Sequence, residues 1–249
     1  IELYSKQQMR ISMAFYSKFV QYYDSIFPFK QPMFDFLKGY TKPDMKNILD
    51  VGCGTGHYAA AFSDAGFTAT GVDLDHAMID YAKERYPETH FRAINMLDID
   101  SLGHKFDLIF CIGNTLAHLK KDELHRFLYS VHQSLSDGGL WLFQVRNWDY
   151  VLQQDKYEFP LLSAHNNKIQ FSRTYSNISN DSLQFNTQLS DDSTLVFEDS
   201  VTMTPLTSKQ YINMHHNIRF RLVDQFGDFK RTPFDPSKDS AHICIFQKQ

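Results

Sequence analysis

A short apolar run, Ile48-Leu49-Asp50-Val51, passes directly into Gly52-Cys53-Gly54-Thr55-Gly56 and then into a helical pattern. No other feature constrains the fold as strongly. Alternating glycines permit a backbone with positive φ and let the chain approach a ligand closely, while the helix that follows opens with unpaired N–H groups aimed at the same place. Such a turn closes the first strand-helix unit of an α/β sheet, where ligands bind at the carboxyl ends of the strands. The spacing limits the ligand. A dinucleotide fingerprint needs glycine at 57, where His57 stands, and no Lys-Ser/Thr pair follows to make a phosphate-binding loop.

The glycine turn sits inside a longer alternation. Between Lys46 and Asn147, strand-like runs at Asn47–Val51, Thr68–Asp73, His90–Ile94, Phe106–Ile112 and Gly139–Arg146 alternate with helical periodicity over Gly56–Ala65, His76–Arg85 and Asp122–Leu135. Asp75 and Asp122 are the expected N-caps. This pattern predicts a mostly parallel seven-stranded sheet with helices on both faces, a Rossmann-like domain over 46–153 and 206–249. The last two strands would come from Ile218–Phe226 and Ala241–Gln247, after a helix at Thr207–Asn217. Residues 154–205 change texture. Lys168–Ser176, Ser182–Ser190 and Thr194–Met203 alternate polar and apolar residues between Ser/Asn/Asp clusters, which predicts an antiparallel elaboration over the substrate site. Residues 1–45 read as helical and aromatic, from Tyr4 through Tyr16, Phe19, Tyr23 and Phe27 to Tyr40. Two readings fit them, a helix pair buried on the sheet and a lid over the site.

Composition excludes several functions. The formal charge of −4 arises from 25 basic and 29 acidic residues scattered along the chain, so no basic field is available for nucleic acid. No apolar run approaches the roughly 20 residues of a membrane span. Three distant cysteines, Cys53, Cys111 and Cys244, show no metal-ligand spacing and point to a reducing, cytoplasmic setting without a metal. His215-His216 would project to different helix faces and reads as packing or surface histidine.

Asp73 stands at the end of the second strand, 17 residues past Gly56, in Gly71-Val72-Asp73-Leu74-Asp75. A carboxylate there can accept both hydroxyls of a ribose lying in the strand-end crevice. Together, Leu49 to Gly56, Asp73 and the following Met78 resemble the first two motifs of class I S-adenosylmethionine-dependent methyltransferases. Asn95-Met96 stands where typical members place an Asp for the adenine amino group; the amide oxygen can accept that bond and Met96 can cover the ring.

Three later stretches narrow the resemblance. Cys111-Ile112-Gly113-Asn114-Thr115-Leu116-Ala117-His118-Leu119, Arg146-Asn147-Trp148-Asp149-Tyr150-Val151-Leu152 and Gly227-Asp228-Phe229-Lys230 resemble glycine and sarcosine N-methyltransferases. The resemblance implies that Gly52, Gly54, Gly56, Asp73, Met78, Asn95, Met96, Ile112 and His118 bind S-adenosylmethionine, leaving S-adenosylhomocysteine as product. It further implies that Lys30 replaces an arginine on the cofactor's carboxylate, that Tyr16 and Tyr23 lie near the reacting centre, and that Asn114 touches the acceptor. Arg146 would then grip the acceptor carboxylate. The residues argue for this independently: Arg146 closes an otherwise apolar strand, so its guanidinium reaches the crevice, unless Asp149 pairs it structurally. The implied reaction is in-line methyl transfer to the neutral amine of glycine or sarcosine, toward betaine, governed by positioning because no new anion forms. Another small amine or carboxylate as acceptor, and a non-catalytic S-adenosylmethionine binder, are the competing readings.

Overall fold

The computed structural model describes residues 19–249. Helix α1 covers residues 19–26 and α2 covers Gln31–Lys38, with Pro32 in its first turn, where a missing N–H costs nothing. The main sheet is then laid down as β1 (Asn47–Val51), α3 (His57–Asp64), β2 (Thr68–Asp73), α4 (His76–Arg85), β3 (His90–Ala93), β4 (Phe106–Cys111), α5 (Lys121–Ser134) and β5 (Leu135–Arg146). Short 3₁₀ turns at Met96–Leu102 and Thr115–His118 flank β4. After α6 (Trp148–Val151), a second sheet is built from β6 (Tyr157–Glu158), β7 (Leu162–Ala164), β8 (Ile169–Ser176), β9 (Leu183–Asp191) and β10 (Thr194–Met203). The chain returns through α7 (Ser208–Asn217), β11 (Phe220–Phe226) and β12 (Ala241–Lys248) to complete the first sheet.

The seven-stranded sheet runs β11-β12-β5-β4-β1-β2-β3. Strands β1 to β5 pair in parallel, and β12 pairs antiparallel to both β5 and β11. Chain order reverses between β1 and β4, which opens a crevice at their carboxyl ends. Strands β1, β4, β5 and β12 are nearly continuous apolar runs because helices cover both faces. One core, containing Leu49, Ile109, Phe127, Trp141, Phe143 and Phe246, lies under α5 and α7; a second, containing Phe36, Leu37, Phe62, Phe110 and Ile243, lies under α2 and α3. Among the described residues no helix is long and apolar enough to cross a membrane.

Two local expectations are corrected. Helix α5 begins at Lys121 with Lys120 as its N-cap, not at Asp122, because the Glu123 carboxylate accepts the Lys120 N–H and closes the turn one residue earlier. Asp122 stands in the first turn, where its charge meets the positive end of the helix dipole. Strand β5 starts at Leu135 rather than Gly139, because the Leu135 end pairs with Phe106 across an irregularity in the ladder. The aromatic N-terminal segment divides. Phe34 and Phe36 pack under the main sheet, whereas Phe19 and Ile26 pack with Phe171, Leu189 and Phe197 of the second sheet.

Candidate active site at the strand ends

The glycine turn has the backbone its spacing predicts. Gly52, Gly54 and Gly56 take φ of 73°, 53° and 83°. At Gly56, the N-cap of α3, an added Cβ would stand 2.5 Å from the Phe91 ring, so only glycine lets α3 pack on β3. At Gly54 an added Cβ would stand 3.2 Å from the Tyr23 ring, which places Tyr23 directly against the turn. Asp73 joins the two halves of this unit: Oδ2 accepts the Gly54 N–H at 2.9 Å and Oδ1 accepts the Asp75 N–H at 3.0 Å. Burial pushes the Asp73 carboxyl up, while these bonds pull it down. Each oxygen keeps a second lone pair for a ligand hydroxyl. Beside it, Asp50 is buried, and desolvation together with the Asp73 charge raises its pKa well above its ordinary value.

Helix α1 is clamped over this turn by Asp24, a residue that sequence reasoning passed over. Its carboxylate accepts the Thr55 hydroxyl at 2.5 Å and the Tyr81 hydroxyl at 3.3 Å, and lies 3.8 Å from His57 and 4.0 Å from Arg85. Burial pushes the Asp24 pKa up, but the hydrogen bonds from His57 and Thr55 and the adjacent His57 and Arg85 charges hold it below its ordinary value. An acid near the end of a helix carries no local signal of partners that begin 31 residues further along the chain.

The other residues expected to bind the methyl donor occupy varied settings. Asn95 caps the 3₁₀ turn through its Oδ1, which accepts the Leu97 N–H at 3.0 Å, so Asn95 and Met96 are fixed at the end of β3. Ile112 is half-buried at the end of β4, and Met78 is buried at 1% exposure in the first turn of α4. Burial pushes His118 down to about 4, so it is neutral at ordinary pH. Lys30 is exposed at the N-cap of α2, where its backbone N–H donates to the Tyr58 hydroxyl. Tyr16 lies outside the described residues.

Across the crevice stands the second half. Asn114 is buried at φ 69°; its Oδ1 accepts the Arg146 N–H at 2.9 Å and its Nδ2 donates to the Tyr175 hydroxyl at 3.2 Å. Asn114 thus ties the ends of β4 and β5 to strand β8. The Arg146 guanidinium lies 4.8 Å over Phe159 and 5.3 Å over Tyr157 and donates to the Tyr157 hydroxyl at 2.5 Å. Its Nε is buried with no hydrogen-bond partner. The alternative pairing with Asp149 does not occur, since the Asp149 carboxylate accepts the Ser208 N–H at 2.8 Å. Arg173, also unforeseen, stacks 4.8 Å over the same Phe159, and its Nε too is buried without a partner. Burial and the nearby Arg146 charge bring it down to about 10. A lone arginine between Phe171 and Tyr175 at inward positions of an alternating strand was the available signal.

The geometry therefore offers a glycine turn with an adjacent carboxylate on one side and an aromatic cage holding two guanidiniums, with unused donors, on the other. A buried donor left unmade is costly, so such groups mark a site that an anion completes. Residues 48–139 match the family described as a methyltransferase domain. Glycine N-methyltransferase of Oryctolagus cuniculus is 32% identical over 126 residues, which is 43% of this chain and 43% of that protein. The chain thus spans less than half the length of that relative. Glycine/sarcosine N-methyltransferase of Halorhodospira halochloris is 26% identical over 217 residues, 82% of this chain and 76% of that protein. Among solved structures, a S-adenosylmethionine-dependent methyltransferase from Clostridium acetobutylicum superposes with a TM-score of 0.76 at 15% identity, covering 94% of this chain and 98% of that one. The amino pentose methyltransferase CalS10 of Micromonospora echinaspora gives 0.66 at 20% identity over 87% and 88%.

Proposed function

We propose that this chain, whose residues 48–139 match a methyltransferase domain on a fold shared with S-adenosylmethionine-dependent methyltransferases, methylates the amine of a small amino acid, glycine or sarcosine, in the direction of betaine. The observation that carries the reading is the unpartnered Nε of Arg146 at the end of β5, held in its cage by Tyr157 and Phe159 and tied to Asn114 through its backbone. A planar guanidinium with one free edge is the group that grips a carboxylate through two hydrogen bonds.

The donor supplies a methyl group on a sulfonium, which leaves as a neutral thioether. Gly52, Gly54 and Gly56 would shape the turn that holds it, with Asp73 to accept its ribose hydroxyls and Asn95 and Met96 to meet its adenine. Tyr23, whose hydroxyl end lies against Gly54, is the ring we assign to the sulfonium, since a positive charge is favoured over a π-face. Arg146 fixes the acceptor carboxylate, and Asn114 holds Arg146 and Tyr175 in register. The amine must be neutral at attack, so one proton leaves it beforehand; the methylated nitrogen then carries the positive charge given up by the sulfonium, and the product departs as an ammonium zwitterion. Holding nitrogen and methyl carbon near 3 Å and in line is worth several kcal/mol without any further charge stabilisation.

Donor turnover with glycine, sarcosine and dimethylglycine as acceptors tests the reading. Turnover with glycine or sarcosine and none with dimethylglycine is expected; no turnover with any of the three contradicts it. A sugar amine is the second reading, motivated by the fold shared with CalS10, and turnover with an amino sugar alone would select it.

A further inference from the structure

The inner face of the second sheet is organised in rows. Strand pairing aligns Phe171, Leu189 and Phe197 in one row, Arg173, Thr187 and Asp199 in the next, and Tyr175, Phe185 and Val201 in a third. The burial alternation of β8, β9 and β10 puts all nine on the face turned toward the protein. The first row is covered by Phe19 and Ile26 of α1, and the third packs on the main core. The middle row is polar and lies between two apolar ones, where a purely structural sheet would continue its apolar face.

Its ends carry opposite charges that do not meet. Arg173 and Asp199 lie two strands apart, roughly 10 Å between backbones, and no ion pair joins them among the described residues. At one end the Arg173 Nε has no partner; at the other the Asp199 Oδ2 is buried without one, while its Oδ1 accepts the Ser200 N–H. Thr187, buried between them, donates to the Asp199 carbonyl. The row also adjoins the crevice. Phe159 is shared by Arg146 and Arg173, and Phe27, one turn beyond Tyr23 on the α1 segment, lies 5.9 Å from Arg173.

We propose that the Arg173–Thr187–Asp199 row is the acceptor-recognition wall, with Arg173 sharing the acceptor carboxylate with Arg146 and Asp199 receiving the ammonium end as the zwitterion docks. The inference rests on the amino-acid reading and deepens it: the acceptor is recognised as a separated pair of charges rather than as an amine alone. Both side chains are half-buried, and Arg173 also donates to the Pro160 carbonyl, but one atom of each is left buried without a partner, a cost expected where function requires it.

Asp199→Asn and Arg173→Met are compared with the wild type by acceptor kinetics on glycine, sarcosine, glycinamide and ethanolamine, glycine binding to the S-adenosylhomocysteine-loaded protein, donor affinity and Tm. Asp199→Asn should raise the glycine KM about tenfold or more, the effect of one hydrogen bond to a charged group, with donor affinity and Tm preserved. Arg173→Met should weaken glycine and sarcosine while sparing ethanolamine and glycinamide, which lack the carboxylate. An unchanged glycine KM, or a lower Tm with unchanged acceptor use, would overturn the role of each residue. If the wild type methylates only ethanolamine or glycinamide, the amino-acid reading and the Arg173 role fall, and Asp199→Asn on that amine still decides the Asp199 role. Neither turnover nor binding with any of the four would overturn both.

Discussion

Replacing Arg146 by Ala removes the group on which the acceptor reading depends. The wild-type guanidinium spends one edge on the Tyr157 hydroxyl and stacks on Phe159, leaving Nε and the neighbouring face for a ligand. Two charge-assisted hydrogen bonds at about 1.5–3 kcal/mol each give about 3–6 kcal/mol, and the lower bound is appropriate because Arg173 stands on the same ring and retains part of the attraction. About 3 kcal/mol corresponds to roughly a hundredfold increase in acceptor KM. The proposed donor half lies across the crevice, tied together through Asp73 and Gly54 rather than Arg146, so S-adenosylmethionine affinity by calorimetry should change less than about threefold, under 1 kcal/mol. Lys in place of Arg should recover only part of the loss, because an ammonium lacks the planar fork. An Arg146→Ala protein with native Tm and unchanged glycine KM would refute the reasoning.

Three further outcomes follow from the same geometry. Asp73→Asn should weaken donor binding by about 3 kcal/mol, roughly a hundredfold by calorimetry, because it disturbs the Gly54 and Asp75 bonds and the ribose contact together; unchanged affinity would remove Asp73 from the donor site. Gly54→Ala forces a Cβ into φ 53° and against Tyr23, costing about 1–2 kcal/mol in backbone strain, and should lower donor affinity about tenfold. His215, His242 and His118 are neutral in the fold, pushed by burial to about 3, about 4 and about 4. Their stability contribution is full above the ordinary imidazole value and declines as pH falls below it, because the unfolded chain binds protons that the folded chain refuses. His215 alone contributes on the order of 4 kcal/mol of that loss by about pH 3. Tm measured against pH should therefore fall steeply below about pH 6.5, and a flat profile down to pH 4 would contradict the buried-neutral assignment.

Much of the fold was legible because its signals are periodic. Runs that are apolar but for Asp50 and Gln144, Ile48–Val51 and Leu140–Val145, need both faces covered, and the alternation in Thr194–Met203 needs one. Glycine spacing and Asp73 marked the proposed donor half because both act through backbone geometry close in sequence. The proposed acceptor half was only partly legible. Arg146 stood out at a strand end, whereas Tyr157, Phe159, Arg173 and Asp199 converge through pairings of β6 with β8 and of β8 with β9 and β10. Such register is tertiary information, and strands of two or three residues such as β6 and β7 are too short to show a period. Asp24 was hidden for the same reason: its partners Thr55, His57, Tyr81 and Arg85 lie on other elements.

The central claim, methyl transfer to the nitrogen of a small amino acid gripped by Arg146, is tested most directly by mass spectrometry of the products formed from glycine and S-adenosylmethionine labelled with deuterium in the methyl group. The account predicts N-methylated glycine carrying the labelled methyl, formed in step with S-adenosylhomocysteine. Unmodified glycine after prolonged incubation, with another amine labelled in its place, would contradict it.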